Sequence, residues 1–238
     1  MIPWPEGYRK IRHPELDSTN SQARRMAEAG EVGPVWIIAD RQTAGRGRRG
    51  RVWQTDSGNL ATTLLLQPDA PPSVTGQLSF VASLAAAEMA AHFAPRAAIT
   101  VKWPNDVLAD GRKVAGILIE AGPGWLAVGV GVNLAGAPED LPATCLAQLG
   151  IAAPSSEEAL TVLAARFAHW YAAWMTDGFE TIRAAWLARA GGLGGPITAR
   201  LASCETRQGL FEGIDASGAL LLNEQGQVRA IAAGEVFF

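Results

Sequence analysis

The sequence predicts an α+β fold, in which a mixed or antiparallel central sheet is flanked by helices and followed by a small β unit. Three features point there. Short apolar runs bounded by turn residues recur between Val35 and Asn133, helical apolar faces interrupt and follow them, and beyond Gly191 only short β-rich pieces remain. With 238 residues, 48% of them apolar, the chain has material for one large domain and a small one, read as residues 1–190 and 191–238.

Asp17-Ser18-Thr19-Asn20-Ser21-Gln22 opens the first helix. Thr19 followed three places later by Gln22 spells a capping box, and Ala23, Met26 and Ala27 form one helical face that ends at Gly30. Val35-Trp36-Ile37-Ile38-Ala39 reads as a strand. A loop rich in arginine and a turn over 54–58 lead to a buried strand over 60–67, and a loop over 68–73 precedes a core-facing helix marked by Leu78, Val81, Ala82, Ala85 and Met89. Ile99-Thr100-Val101-Lys102-Trp103 is a short strand halted by Pro104. Residues 105–109 lead into the Asp110-Gly111 turn, 112–120 return as the second strand, and 125–133 alternate apolar residues with glycine as the third. Residues 139–150 form a loop. Ser155 to Glu158 is a second capping box, opening a helix faced by Leu160, Leu163, Ala164, Phe167, Trp170 and Trp174, while Ile182, Trp186 and Leu187 mark another. Gly191 to Pro196 is the linker. Pieces at 197–201, 210–214, 219–223 and 228–232 then alternate with turns, as a small barrel requires.

Composition narrows the function. No run approaches the roughly 18 to 20 apolar residues of a membrane span, and Met1-Ile2-Pro3-Trp4-Pro5 lacks the features of a signal peptide, so a cytoplasmic protein without a membrane partner is expected. Cys145 and Cys204 lie far apart, and His13, His92 and His169 are isolated, which suggests neither a structural zinc site nor a disulfide framework.

Against a net charge of only -3, the stretch from Asp40 to Trp53 holds five arginines and three glycines. Gly45, Gly47 and Gly50 allow the loop to turn its N–H groups toward one oxyanion while the arginines supply charged forks, which is the chemistry of phosphate recognition. Residues 45–50 also spell G-x-G-x-x-G, but no helix opens at Gly50 and arginines fill the variable positions, so a dinucleotide site is rejected. Mutual repulsion of the arginines predicts a loop loosely held in an empty site and ordered by its anion. Lysine is rare. Of Lys10, Lys102 and Lys113, two fall near strand ends that the hairpins bring together with Asn105, Asp106 and Asn133. The helix N-terminus with Ser18, Thr19 and Asn20 is also a clamp for polar groups of a small ligand.

These blocks, taken in order, resemble a biotin protein ligase over nearly the whole chain. They are Asp17-Ser18-Thr19-Asn20, the run from Gln42 through Gly45-Arg46-Gly47-Arg48-Arg49-Gly50 to Trp53, Lys102-Trp103-Pro104-Asn105-Asp106, Arg112-Lys113-Val114-Ala115-Gly116, and Gly129-Val130-Gly131-Val132-Asn133. The resemblance implies a catalytic domain of the class II synthetase-like biotin/lipoate ligase fold and a C-terminal SH3-like β domain. It also implies a two-step reaction in which biotin and ATP, with Mg2+, give biotinyl-5'-AMP and pyrophosphate, and the acyl group then passes to a lysine of a biotin carboxyl carrier protein such as that of acetyl-CoA carboxylase.

By the same resemblance Ser18, Thr19, Asn20, Gln42, Arg46, Gly47, Arg48 and Lys113 hold biotin, with Arg48 and Lys113 as the catalytic cations. Arg46, Arg48, Arg49, Trp53, Lys102, Asn105, Asp106 and Asn133 serve ATP and the adenylate, and Asp106 is the candidate contact for magnesium. Two departures stand out. The short stretch before Asp17 leaves no room for the DNA-binding domain of some members, so no DNA partner is expected, and Ala61 follows Gly58-Asn59-Leu60 where the family often has an aromatic residue. A monomer and a homodimer are both compatible with the sequence. The rival readings are a lipoate or octanoate ligase or transferase of the same fold and, from a different class, a phosphate- or nucleic-acid-binding module. Confinement of the basic charge to one loop weighs against the second.

Overall fold

A computed structural model of the chain describes residues 2–54, 58–68, 70–201 and 203–238. The middle of the expected turn over 54–58, at Thr55, Asp56 and Ser57, lies outside them. The large unit contains β1 (Arg9–Leu16), α1 (Thr19–Glu28), β2 (Val35–Gln42), β3 (Leu60–Leu66), α2 (Pro72–Thr75), α3 (Leu78–Phe93), β4 (Ile99–Lys102), β5 (Asp106–Ala109), β6 (Arg112–Gly122), β7 (Trp125–Val132), α4 (Ser156–Asp177) and α5 (Phe179–Leu187). β8 (Pro196–Leu201), β9 (Thr206–Ile214), β10 (Leu220–Glu224), β11 (Gln227–Ile231) and β12 (Gly234–Phe237) follow. Among the described residues no helix is long and apolar enough to cross a membrane.

The seven-stranded sheet runs β1-β2-β3-β7-β6-β5-β4, with β1 parallel to β2 and every other pair antiparallel, so it is mixed. Side-chain alternation sorts β2, β3 and β7 between two cores. In β2, Trp36 and Ile38 face the large core with α3 and α4, whereas Val35 and Ile37 face a small one with Ala23 of α1. Trp36 meets Phe167 of α4 edge to face, with centroids 5.8 Å apart. In β7, Val128, Val130 and Val132 enter the large core, which leaves Gly129 and Gly131 on the α1 face. That parity places the site.

The elements differ from the sequence reading in four places. β1 was not predicted, because it is an edge strand whose charged and proline residues, from Arg9 to Leu16, blunt its free edge and hide the alternation. β5 is a strand in its own right, hydrogen-bonded to β4 and β6, where the sequence suggested only a lead into the turn. β12 was also missed, and the short α2 ends the loop expected over 68–73. The second capping box is present with both halves, Ser155 Oγ accepting from Glu158 N and Glu158 accepting from Ser155 N.

The five-stranded antiparallel sheet runs β11-β10-β9-β8-β12. Its core residues, among them Phe211, Leu220, Leu222 and Val236, continue the large core. Trp103 Nε1 donates to Gly218 O at 3.0 Å and Arg183 Nε to Ile214 O at 2.7 Å, so the two units are pinned together. The glycine-rich connection is itself tied down, with Gly191 N donating to Val101 O and Gly194 N to Phe211 O.

Buried Asn59 precedes β3 and organises the turn after β7: its Oδ1 accepts from the N–H groups of Leu134, Ala135 and Gly136, and its Nδ2 donates to Gly136 O. Asn59→Ala strands these groups and is expected to destabilise the fold by about 3 kcal/mol. Urea denaturation checks this, and a loss below about 1 kcal/mol would show that water satisfies the turn equally well.

Candidate active site

A cavity of about 690 Å³ lies on the α1 face of the large sheet. Its size suits a small-molecule ligand. At one end stands the N-terminus of α1, where Ser18, Thr19 and Asn20 are buried. The capping box expected at Thr19 does not form: Ser18 is the N-cap, and its side chain makes no cap hydrogen bond. Gln42, at the end of β2, does the work instead, its Oε1 accepting from Thr19 N at 2.8 Å and Thr19 Oγ1 at 3.2 Å. Thr63 of β3 donates to Asn20 Oδ1 at 2.6 Å and lies 2.8 Å from Thr19 Oγ1, while Asn20 Nδ2 donates to Leu118 O at 3.3 Å. The result is a pre-set polar pocket. Thr63 was missed from the sequence, although a threonine pair inside an otherwise apolar buried strand was a usable signal.

Just outside, Arg25 grips Asp17 with two hydrogen bonds of 2.7 and 2.9 Å. This hydrogen bonding holds the Asp17 carboxyl at a pKa of about 2, below its ordinary 3.8. A depressed carboxylate pKa contributes stability that is present above the unfolded value and lost as pH falls through the folded one, here from about 4 down to about 2. Because the pair is nearly half exposed, screening keeps the gain below about 1 kcal/mol. Wild type and Asp17→Asn are therefore expected to differ slightly in Tm above pH ~5 and to converge near pH ~2. A difference that grew on acidification would rule out this origin.

The floor of the cavity is glycine. Gly129 and Gly131 of β7 and Gly116 of β6 line it, and a Cβ built at Gly129 would overlap Asn20 while one at Gly131 would overlap the Trp53 indole. Trp53 thus packs against the glycines of the sheet, its ring centroid 5.6 Å from Lys113 Nζ. The arginine loop arches over, closed by Gly47 N donating to Arg51 O and Trp53 N to Gly45 O.

The repulsion expected among its arginines is offset by acids distant in sequence. Arg46 pairs with Glu120 at 3.4 Å and Arg51 with Glu235. Arg48 has neutral partners, Asn105 Oδ1 at 3.3 Å and Gly234 O at 3.2 Å. Burial lowers the Arg48 pKa, and Arg49 and Arg51 add to the effect against the opposing pull of Asp106. An anion would relieve it.

The opposite end is cationic. Lys113 Nζ lies 2.6 Å from Asp106 Oδ1, and Lys102 lines the same wall. Asn105 donates to Ile117 O at 2.6 Å, and buried Asn133 donates to Thr144 O at 3.1 Å and to Lys113 O at 3.5 Å, so both asparagines brace the backbone around the cations. The structure brings together Ser18, Thr19, Asn20, Gln42, Arg46, Gly47, Arg48, Trp53, Lys102, Asn105, Asp106, Lys113 and Asn133 in one cavity. Arg49 is not among its lining residues: it is exposed at the loop apex with φ 58°. Arg51, Leu118, Glu235, Phe237 and Phe238 line the cavity and were not singled out from the sequence. A smaller cavity of about 300 Å³ near Tyr8 and Tyr171 has no charged lining residue.

Residues 14–135 match the biotin/lipoate A/B protein ligase family, and residues 192–238 match the biotin protein ligase C-terminal domain. The chain belongs to this ligase family. It is 48% identical to a biotin–acetyl-CoA-carboxylase ligase of Paracoccus denitrificans, over 93% of this chain and 97% of that protein. A ligase of the same description from Mycobacterium tuberculosis is 35% identical, over 93% of this chain and 86% of the relative. Among solved structures, biotin protein ligase from Aquifex aeolicus in complex with biotin and ATP superposes with a TM-score of 0.85 at 27% identity, covering 96% of this chain and 97% of that one. The family's small C-terminal domain accordingly corresponds to the five-stranded sheet here.

Proposed function

We propose that this chain is a biotin protein ligase, which joins biotin to ATP to form biotinyl-5'-AMP and pyrophosphate and then transfers biotin to a lysine of a biotin carboxyl carrier domain, such as that of acetyl-CoA carboxylase. The observation that carries the reading is the polarity of one continuous cavity: a buried neutral hydrogen-bonding pocket at the α1 end and Arg48, Lys102 and Lys113 at the other.

In this reading the bicyclic ring of biotin sits against Ser18, Thr19, Asn20 and Gln42, and its chain runs past Trp53 under Arg46 and Gly47. The carboxylate is already ionised at neutral pH and needs no general base. It needs cations, because it must approach a polyphosphate. An oxygen of the carboxylate bonds to the α-phosphorus as the bond to the bridging oxygen breaks and pyrophosphate leaves, with Arg48 and Lys113 stabilising the charge. The acceptor amine then attacks the acyl carbon, loses a proton, and AMP departs. Arg49 is retained as an adenylate contact that closes with the loop, and Asn105, Asn133 and Trp53 line the nucleotide side.

For magnesium, the described residues hold no cluster of three or more ligating side chains. A single carboxylate, Asp106, suits a hard cation that arrives on ATP phosphates and keeps most of its water. The boundary is drawn at 190/191, between a catalytic domain of residues 1–190 and a β domain of residues 191–238. A cytoplasmic location follows from the need for ATP.

Lipoate and octanoate are disfavoured because their chains offer nothing to the amide and hydroxyl groups of Asn20, Thr19 and Gln42. Exchange of labelled pyrophosphate into ATP, run with each acid, tests the assignment. Exchange with biotin alone is expected. Exchange with lipoate or octanoate would move the chain within its family, and exchange with none would overturn acyl-adenylate formation.

A further inference from the structure

We infer that Phe237 and Phe238 are positioning residues of the nucleotide site, holding the Lys102 ammonium on their ring faces so that its N–H donors stay free for the polyphosphate. This rests on the ATP-dependent reading above. Lys102 Nζ lies 5.5 Å from the Phe237 centroid and 5.6 Å from the Phe238 centroid, and all three residues line the cavity. Among the described residues Lys102 has no ion-pair partner, whereas Lys113 is paired with Asp106, Arg46 with Glu120 and Arg51 with Glu235.

The difference is chemical. A carboxylate partner would neutralise the ammonium and occupy its donors, and an incoming phosphate would have to displace it. An aromatic face attracts a cation through its quadrupole and takes no N–H. Burial works against the charged form of Lys102 and lowers its pKa, with Asp106 opposing and Lys113 and Arg51 adding to the fall. The two rings offset part of that cost.

The rings themselves are placed with care. Phe237 also stacks under the Arg200 guanidinium at 5.1 Å, and the Phe238 ring fills space that a Cβ on Gly192 would overlap. At 41% and 59% exposed, neither is a core residue whose main work is packing. β12 also reaches the arginine loop through Gly234 O and Glu235, so the small β unit contributes directly to the nucleotide end.

The test is calorimetric titration of the full chain, in saturating biotin and magnesium, with α,β-methylene ATP, which cannot be cleaved at the α-phosphate. Phe237→Leu/Phe238→Leu is expected to bind the nucleotide about tenfold more weakly, with biotin affinity within about twofold of wild type. Its Tm should move by no more than about 2 °C, and Phe237→Tyr/Phe238→Tyr, which keeps both faces, should restore the affinity. Wild-type nucleotide affinity in the leucine variant would overturn the inference. So would an undiminished loss when Lys102 is already Met, since the rings would then act through something else. Absence of biotin-dependent pyrophosphate exchange in wild type would instead refute the proposed function, and the nucleotide affinities would still decide the role of the rings.

Discussion

Lys113→Ala is expected to lower biotin-dependent pyrophosphate exchange by about a hundred- to a thousandfold, the cost of removing one preorganised charge stabiliser. The lysine stands at the start of β6, at the cationic end of the cavity, with Nζ 2.6 Å from Asp106 and 5.6 Å from the Trp53 ring centroid. Among the described residues no other lysine or arginine is paired with Asp106 and stacked on Trp53. Its loss has a second effect, because Asp106, only 21% exposed at its side chain, is left as an uncompensated negative charge where a polyanion must bind. KM for ATP should therefore rise as kcat falls. Lys113→Ala/Asp106→Asn removes the uncompensated charge together with the proposed magnesium contact, and is expected to leave kcat as low as in Lys113→Ala. Exchange within about threefold of wild type in Lys113→Ala would show that Arg48 alone supplies the charge.

Gly131→Ala is expected to cost about 10- to 100-fold in adenylate formation without unfolding the protein, since small displacements of a positioning element carry penalties of that size. The new methyl overlaps the Trp53 indole, a rigid ring with no far end to swing aside. Trp53 must lift, and with it the hydrogen bond from Trp53 N to Gly45 O that closes the loop. Lifting the loop admits water to the mixed anhydride. Burst measurements should show biotinyl-AMP escaping or hydrolysing faster than in wild type, and limited proteolysis of the loop should no longer be suppressed by biotin and ATP. A variant that retained the adenylate and the wild-type protection would mean the indole has a second seat.

Much of this molecule was legible locally. Apolar periodicity and turn residues revealed α1, α3, α4 and most of the large sheet, and the cationic loop with its glycines announced an anion site. The elements that escaped were those whose signal is not local. β1 hides its pattern beneath edge charges, β5 is too short to show alternation, and β12 is recognisable only by its pairing with β8. The first capping box is instructive, because Thr19 and Gln22 have the right spacing yet Gln42, twenty-three residues away, takes the helix N-terminus and holds Thr19 through both its N–H and its hydroxyl.

By itself, then, the sequence determined the kinds of elements, their order and the residue types able to bind an acid and a phosphate, because helical period, strand alternation and turn chemistry act over a few residues. Only the tertiary structure decided which parity of β7 faces the ligand, so that its glycines become a floor for Trp53 and Asn20. It also decided that Glu120 and Glu235 neutralise the loop and that Phe237 and Phe238 support Lys102. Those pairings join residues far apart in the chain through strand register, and a shift of one residue would turn each of them to the other face of the sheet.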